Sequence, residues 1–146
     1  MAVTVKKAML WRSEVDNQAG ALARTLEPLA GAGADLQVVM GYRYPGNETK
    51  ATIELYPVSG KKSAAAAQSA GLAASPLPAL LVQGDNKAGL GHTIAKAMGD
   101  AGVNISFLVA QVVGRKYSAI FGFETDADAS KATALIKKAT ASKRKK

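Results

Sequence analysis

A chain of 146 residues that is 48% apolar and 21% charged has globular rather than disordered composition, and its length permits a sizeable core. It contains no cysteine, which excludes disulfides and thiolate chemistry, and no apolar run approaches the roughly 18 residues of a membrane helix. The formal charge of +8 is concentrated at one end: six of the 19 basic residues and none of the 11 acidic ones fall in the last ten positions. The body is therefore nearly neutral, and the basic tail, residues 142–146, reads as a solvated terminus. The first seven residues lack the apolar stretch of a signal peptide, so a soluble, cytoplasmic protein is expected.

Residues 7–12, with Ala8, Met9, Leu10 and Trp11, form a short apolar run suited to a buried strand. Asp16 to Gly20 interrupts it with turn chemistry. Leu22, Leu26 and Leu29 then recur at helical spacing. Pro28 is expected to kink or shorten that helix, and Gly31 and Gly33 to stop it. Leu36, Val38, Met40 and Tyr42 alternate as one face of a strand. Pro45-Gly46-Asn47 turns the chain, and residues 49–56 return with Ala51, Ile53 and Leu55 inward and Lys50, Thr52 and Glu54 outward. Residues 59–72 are an alanine-rich helix, and the prolines of residues 73–78 stiffen a linker.

The same order then recurs. Residues 79–83 read as a strand, 85–89 as a loop, and 88–100 as a helix burying Leu90, Ile94, Ala97 and Met98. Residues 103–113 and 117–124 are strands, the second with Tyr117, Ala119, Phe121 and Phe123 on one face. Thr125 to Asp128 offers helix caps for a final helix over 129–140. A shift of 69 residues aligns Asp16-Asn17-Gln18-Ala19-Gly20 with Asp85-Asn86-Lys87-Ala88-Gly89, and Ala32-Gly33 with Ala101-Gly102. Such an offset signals a duplicated unit of domain size. The expected organisation is an α+β chain: domain one over 1–72, a linker over 73–78, domain two over 79–141, then the tail. Each half reads β-α-β-β-α, most of a split βαβ, ferredoxin-like unit, with no fourth strand visible.

The repeated loop lies between a strand and a helix N-terminus, where unpaired N–H groups and partial positive charge attract a carboxylate. Asp85 can pair with an ammonium, the Asn86 amide donates and accepts, and Gly89 and Gly91 let a ligand approach the backbone. Together these suit a small zwitterion, a free amino acid. The plain alternative is that Asp85 and Asn86 only shape a turn and cap a helix.

Residues 85–105, Asp-Asn-Lys-Ala-Gly-Leu-Gly-His through Gly-Val-Asn-Ile, resemble the core of the ACT domain family, and residues 16–36 do so by register. The resemblance implies a stand-alone tandem of ACT domains: a regulatory, non-catalytic module that binds an amino acid at domain interfaces, needs no cofactor, and forms a homodimer. Carried over by position, the ligand-binding residues are Asp85, Asn86, Ala88, Gly89 and Leu90 with Asn104 and Ile105. Their counterparts are Asp16, Asn17, Ala19, Gly20 and Ala21 with Asp35 and Leu36. Asp35 in place of Asn adds a negative charge that weighs against binding by the first copy.

Other signals are weaker. His92 is a lone histidine without a catalytic partner in sequence, and one histidine without cysteine disfavours zinc. Residues 84–89 have P-loop spacing, but Leu90-Gly91 stands where Lys-Ser/Thr is required. The rival reading is RNA binding on the same topology, through strand aromatics near residues 115–122. That segment matches the consensus at Arg115, Tyr117 and Ile120 only, so nucleic acid is a disfavoured partner.

Overall fold

The computed structural model describes residues 3–141; the basic tail lies outside them. The chain divides into two units: Met9–Pro76, and Met1–Ala8 together with Leu77–Lys146. Residues 3–8 thus leave the expected first domain and join the second.

In the first unit, β2 (Trp11–Asp16), α1 (Ala21–Gly31), β3 (Val38–Tyr44), β4 (Asn47–Tyr56), α2 (Gly60–Ser69) and β5 (Ala73–Ala74) follow in order. They form a sheet of order β3-β4-β2-β5, with all pairings antiparallel. The missing fourth strand is β5, two residues inside the expected linker, where Ala74 pairs with Trp11 and Ala73 with Arg12. The core gathers Leu29, Ile53, Leu55, Ala67 and Leu72. Helix α1 continues three residues beyond Pro28 and closes with Ala34 N–H on the Leu29 carbonyl at 3.0 Å.

Two expectations fail in this unit. The buried stripe of α1 is Ala21, Thr25 and Leu29, while Leu22 is 44% exposed. On β4 the inward residues Ile53 and Leu55 are buried, but so are the outward Thr52 and Glu54. Glu54 is 2% exposed; its Oε2 accepts from the Tyr42 hydroxyl at 2.6 Å, and its Oε1 has no hydrogen-bond partner.

The second unit contains β1 (Val3–Lys7), β6 (Ala79–Asp85), α3 (Leu90–Asp100), β7 (Phe107–Val113), β8 (Lys116–Gly122) and α4 (Asp126–Thr140). Its sheet order is β1-β6-β8-β7. Here the fourth strand comes from the N-terminus: β1 pairs antiparallel with β6, Val5 opposite Val82. Val3 and Val5 pack on the core while the intervening Thr4 and Lys6 point away. Residues 8–10 therefore do not continue one strand into Trp11; they connect β1 to β2, with Ala8 N–H on the Ala79 carbonyl at 2.9 Å.

Leu90, Ile94 and Met98 of α3 face Leu80, Val82, Ala119, Phe121 and Phe123, with Ala129, Ala132 and Ile136 of α4 completing the cluster. Full burial of each large aliphatic side chain contributes about 1.5–3 kcal/mol. Thr125 caps α4, its Oγ1 accepting from Asp128 N–H at 3.0 Å. Asp126 and Asp128 in the first turn and Lys137 and Lys138 in the last complement the helix dipole. Among the described residues no helix is long and apolar enough to cross a membrane.

Candidate functional site

The duplicated loop is built the same way twice. Each begins on the last residue of a strand, Asp16 of β2 or Asp85 of β6. The neighbouring strand supplies a lysine: Lys50 Nζ lies 2.8 Å from Asp16 Oδ1, and Lys116 Nζ 2.5 Å from Asp85 Oδ1. The hydrogen bond and charge of the lysine hold each aspartate carboxyl below its ordinary value. The carboxylates expected to greet an ammonium thus already engage one inside the chain, and both pairs are exposed, where such contacts are weak.

The asparagines follow suit. Asn17 N–H donates to the Thr49 carbonyl and Asn86 N–H to the Arg115 carbonyl, each at 2.8 Å. The Asn17 side-chain amide also donates to the Glu48 carbonyl at 2.8 Å. Gly20 and Gly89 then take left-handed conformations, φ 88° and 85°, as the residues before α1 and α3. That geometry strains any residue with a Cβ. Neither helix start has a side-chain cap or an acid in its first turn.

Around the first copy the surface is hollow. A cavity of about 280 Å³ is lined by the apolar Val15, Ala51 and Ile53 and the polar Asn17, Gln18 and Arg43, among others. A second hollow of about 320 Å³, against Arg24, Thr25 and Ser69, lies beside the same loop. Arg43 stands 3.9 Å from Glu48 in a mostly exposed contact.

The residues expected to act together are only partly assembled. Asp85, Asn86, Ala88 and Gly89 are exposed and adjacent, while Leu90 is buried in the core. Asn104 and Ile105 stand elsewhere: the next residue, Ser106, donates to the Gly122 carbonyl, and Gly122 pairs with Ala79 at the far end of β6 from Asp85. Within that unit the two groups are separated by the strand's seven residues, about 20 Å. Asp35 and Leu36 likewise precede β3 at the end of its sheet remote from Asp16. Ala19 and Gly20 are exposed beside the cavity, and Ala21 is buried.

Sequence reasoning missed the two lysines and Arg43. Lys50 and Lys116 hold matching places opposite their aspartates across the strand pair. That signal becomes visible only after the hairpins are aligned. His92 is exposed, and among the described residues no three metal-ligating side chains cluster. Tyr117, Phe121 and Phe123 are 5%, 1% and 0% exposed and pack beneath the helices, so they present no stacking surface for bases.

No family model matches the chain, and no curated protein does. Solved structures do match in fold. A protein of Bacteroides thetaiotaomicron superposes with TM-score 0.70 at 14% identity, over 90% of this chain and 88% of that one. The ligand-free regulatory subunit of aspartate kinase from Thermus thermophilus gives 0.63 at 14% identity, over 95% and 97%. The aspartate kinase of Clostridium acetobutylicum gives 0.61 at 17% identity, over 94% of this chain and 34% of that enzyme. At such identities the likeness is one of fold: the chain is α+β, two ferredoxin-like domains in tandem.

Proposed function

We propose that this chain is a non-catalytic regulatory module that binds a free amino acid at the loop between the first strand and first helix of an ACT-type domain. The observation that carries the reading is the loop itself: carboxylate, asparagine and left-handed glycine recur with the same backbone hydrogen bonds in both copies, and one copy adjoins a cavity. At about 280 Å³ that cavity lies at the lower edge of ligand pockets, which run roughly 300–1,000 Å³. It suits a metabolite of a few heavy atoms and not a dinucleotide. The fold's likeness to regulatory subunits of aspartate kinase supports the same assignment.

The control would operate by differential affinity, ligand favouring one arrangement of domains over another. The proposed module is a homodimer. Its edge strands support this: β3 exposes Val39, Tyr42 and Tyr44, and β7 exposes Leu108, Val109, Val112 and Val113, and an unpaired apolar edge invites a further strand.

Thermal melts against each of the twenty amino acids test the assignment. A cognate ligand at about 100 times its Kd raises stability by about 2.7 kcal/mol. Substitution of the loop by Asp16→Ala with Asp85→Ala, or Asn17→Ala with Asn86→Ala, removes the shift. If no amino acid moves the transition, the assignment fails.

A further inference from the structure

The two copies share their loop and differ in what lies beneath it. Ala51 follows Lys50 in β4 as Tyr117 follows Lys116 in β8. Two residues past the left-handed glycine, α1 carries Leu22 where α3 carries Gly91. On the edge strand, Arg43 lies opposite Ala51 and Val112 opposite Tyr117. Three aligned positions have exchanged bulk and charge.

In the second copy the tyrosine is 5% exposed and belongs to the core with Leu90 and Ile94. Its hydroxyl comes within 4.0 Å of where a Cβ on Gly91 would sit. The ring therefore fills the space under the helix start, its hydroxyl at ordinary contact distance from the Gly91 position. Burial raises the Tyr117 phenol above its ordinary value. In the first copy the strand side is cut back to alanine, and Leu22 sits 44% exposed over it. There the cavity opens, with Arg43 among the residues that line it.

We infer that ligand binding belongs to the first copy, that Tyr117 permanently occupies the matching space of the second, and that Arg43 takes the ligand's carboxylate. The inference rests on the amino-acid reading above and narrows it to one copy and one ligand class. A short aliphatic side chain fits the apolar lining of Val15, Ala51 and Ile53, so the ligand is a small α-amino acid such as valine, threonine or isoleucine. The charge of Asp35 does not bear on this cavity, since it stands at the remote end of the sheet.

The test is an amide-resolved NMR titration of the full chain with L-valine, L-threonine, L-isoleucine and, as a long cationic control, L-lysine. Two double variants transplant the packing: Leu22→Gly with Ala51→Tyr fills the first cavity, and Gly91→Leu with Tyr117→Ala empties the second. A third, Arg43→Gln, changes only an exposed side chain and keeps the experiment decisive if a packing variant fails to fold. Expected are shifts at Val15, Gln18, Gly41 and Arg43 with one of the three small ligands, abolished by the filled variant and retained by the emptied one. Arg43→Gln should weaken affinity about tenfold or more, the loss of one charge-assisted hydrogen bond.

Shifts at Lys87, Ala110 and Val112 that survive filling the first cavity would overturn the inference and leave the amino-acid assignment standing. Unchanged affinity in Arg43→Gln would overturn the carboxylate contact. Absence of shifts at either loop with all four probes, and with the remaining amino acids, would overturn both.

Discussion

Tyr42→Phe removes one oxygen atom and should cost far more than its size suggests. Glu54 is 2% exposed, and the Tyr42 hydroxyl at 2.6 Å is the hydrogen bond its Oε2 receives, while Oε1 has no partner. Without that hydroxyl the buried carboxyl group loses the bond to Oε2 while Oε1 has no partner. Such a loss costs about 1–3 kcal/mol, with charged groups at the upper end. Glu54→Leu in the Tyr42→Phe background removes the unsatisfied group itself and should recover most of the loss, because replacing both partners by apolar groups is nearly neutral.

The assay is urea unfolding of the four members of this cycle, with unchanged m-values as the check that only stability moved. A coupling of about 1–3 kcal/mol is expected. For a unit of this size a 1 kcal/mol loss lowers Tm by about 4–8 °C. Burial first, then the bond to Glu54, raises the Tyr42 phenol above its ordinary value of 10.0. That contribution is complete below the unfolded value and is lost as pH rises through the higher folded value, so Tyr42→Phe should also blunt the alkaline loss of stability. A Tyr42→Phe variant within about 0.5 kcal/mol of the parent, the range of an ordinary surface change, with no coupling to Glu54, refutes the reasoning.

Deleting residues 1–7 should destabilise the second unit alone by about 3 kcal/mol or more, since β1 supplies five paired residues and two packed valines; hydrogen exchange would show β6 and α4 losing protection and β4 keeping it. Gly122→Ala should cost about 1–3 kcal/mol, because a Cβ there would lie 1.9 Å from the ring of its cross-strand neighbour Phe107; an unshifted melting curve would mean the ring moves away at little cost. Thr125→Ala removes the cap that Asp128 N–H uses and should cost about 1 kcal/mol by chemical denaturation, with Thr125→Ser restoring most of it. Lys50→Gln and Lys116→Gln should each raise the pKa of its partner aspartate back toward the ordinary value of 3.8, measurable by NMR titration. The pairs' small stability contribution is present above that value and lost as pH falls through the lower folded one.

The duplication was legible because Asp, Asn, Ala and Gly recur at one offset, and turn chemistry survives where packing residues drift. Strand β4 and helix α3 announced their inner faces through plain periodicity, and Leu90, Ile94 and Met98 are buried as that pattern requires. Strand β1 was not legible: Val3 and Val5 alternate with Thr4, Lys6 and a second lysine, which reads as a solvated end until β6 is there to pair with it. Ala73-Ala74 was hidden by the linker's prolines and by its length, since two residues carry no period. Leu22 misled because its place on the helix is correct for a core residue, yet the strand below offers Ala51 and too little surface to cover it. The Tyr117 exchange is hidden in the sequence for a different reason. The offset between copies drops from 69 in the helix to 66 in the returning strand, so the matching positions align only when the shorter second hairpin is taken into account.

The origin of β1 bears on the order in which this chain assembles. The segment 9–76 is an insertion whose two ends are zipped together, Trp11 against Ala74 and Leu10 accepting from Ser75 N–H. Once that insert has folded, it brings residue 8 beside residue 79. The opening strand then meets its partner across a gap of a few residues instead of a floppy loop of about seventy, which lowers the entropy of closure. Strand β1 is therefore placed after the segment that follows it, whose closed ends deliver it to β6.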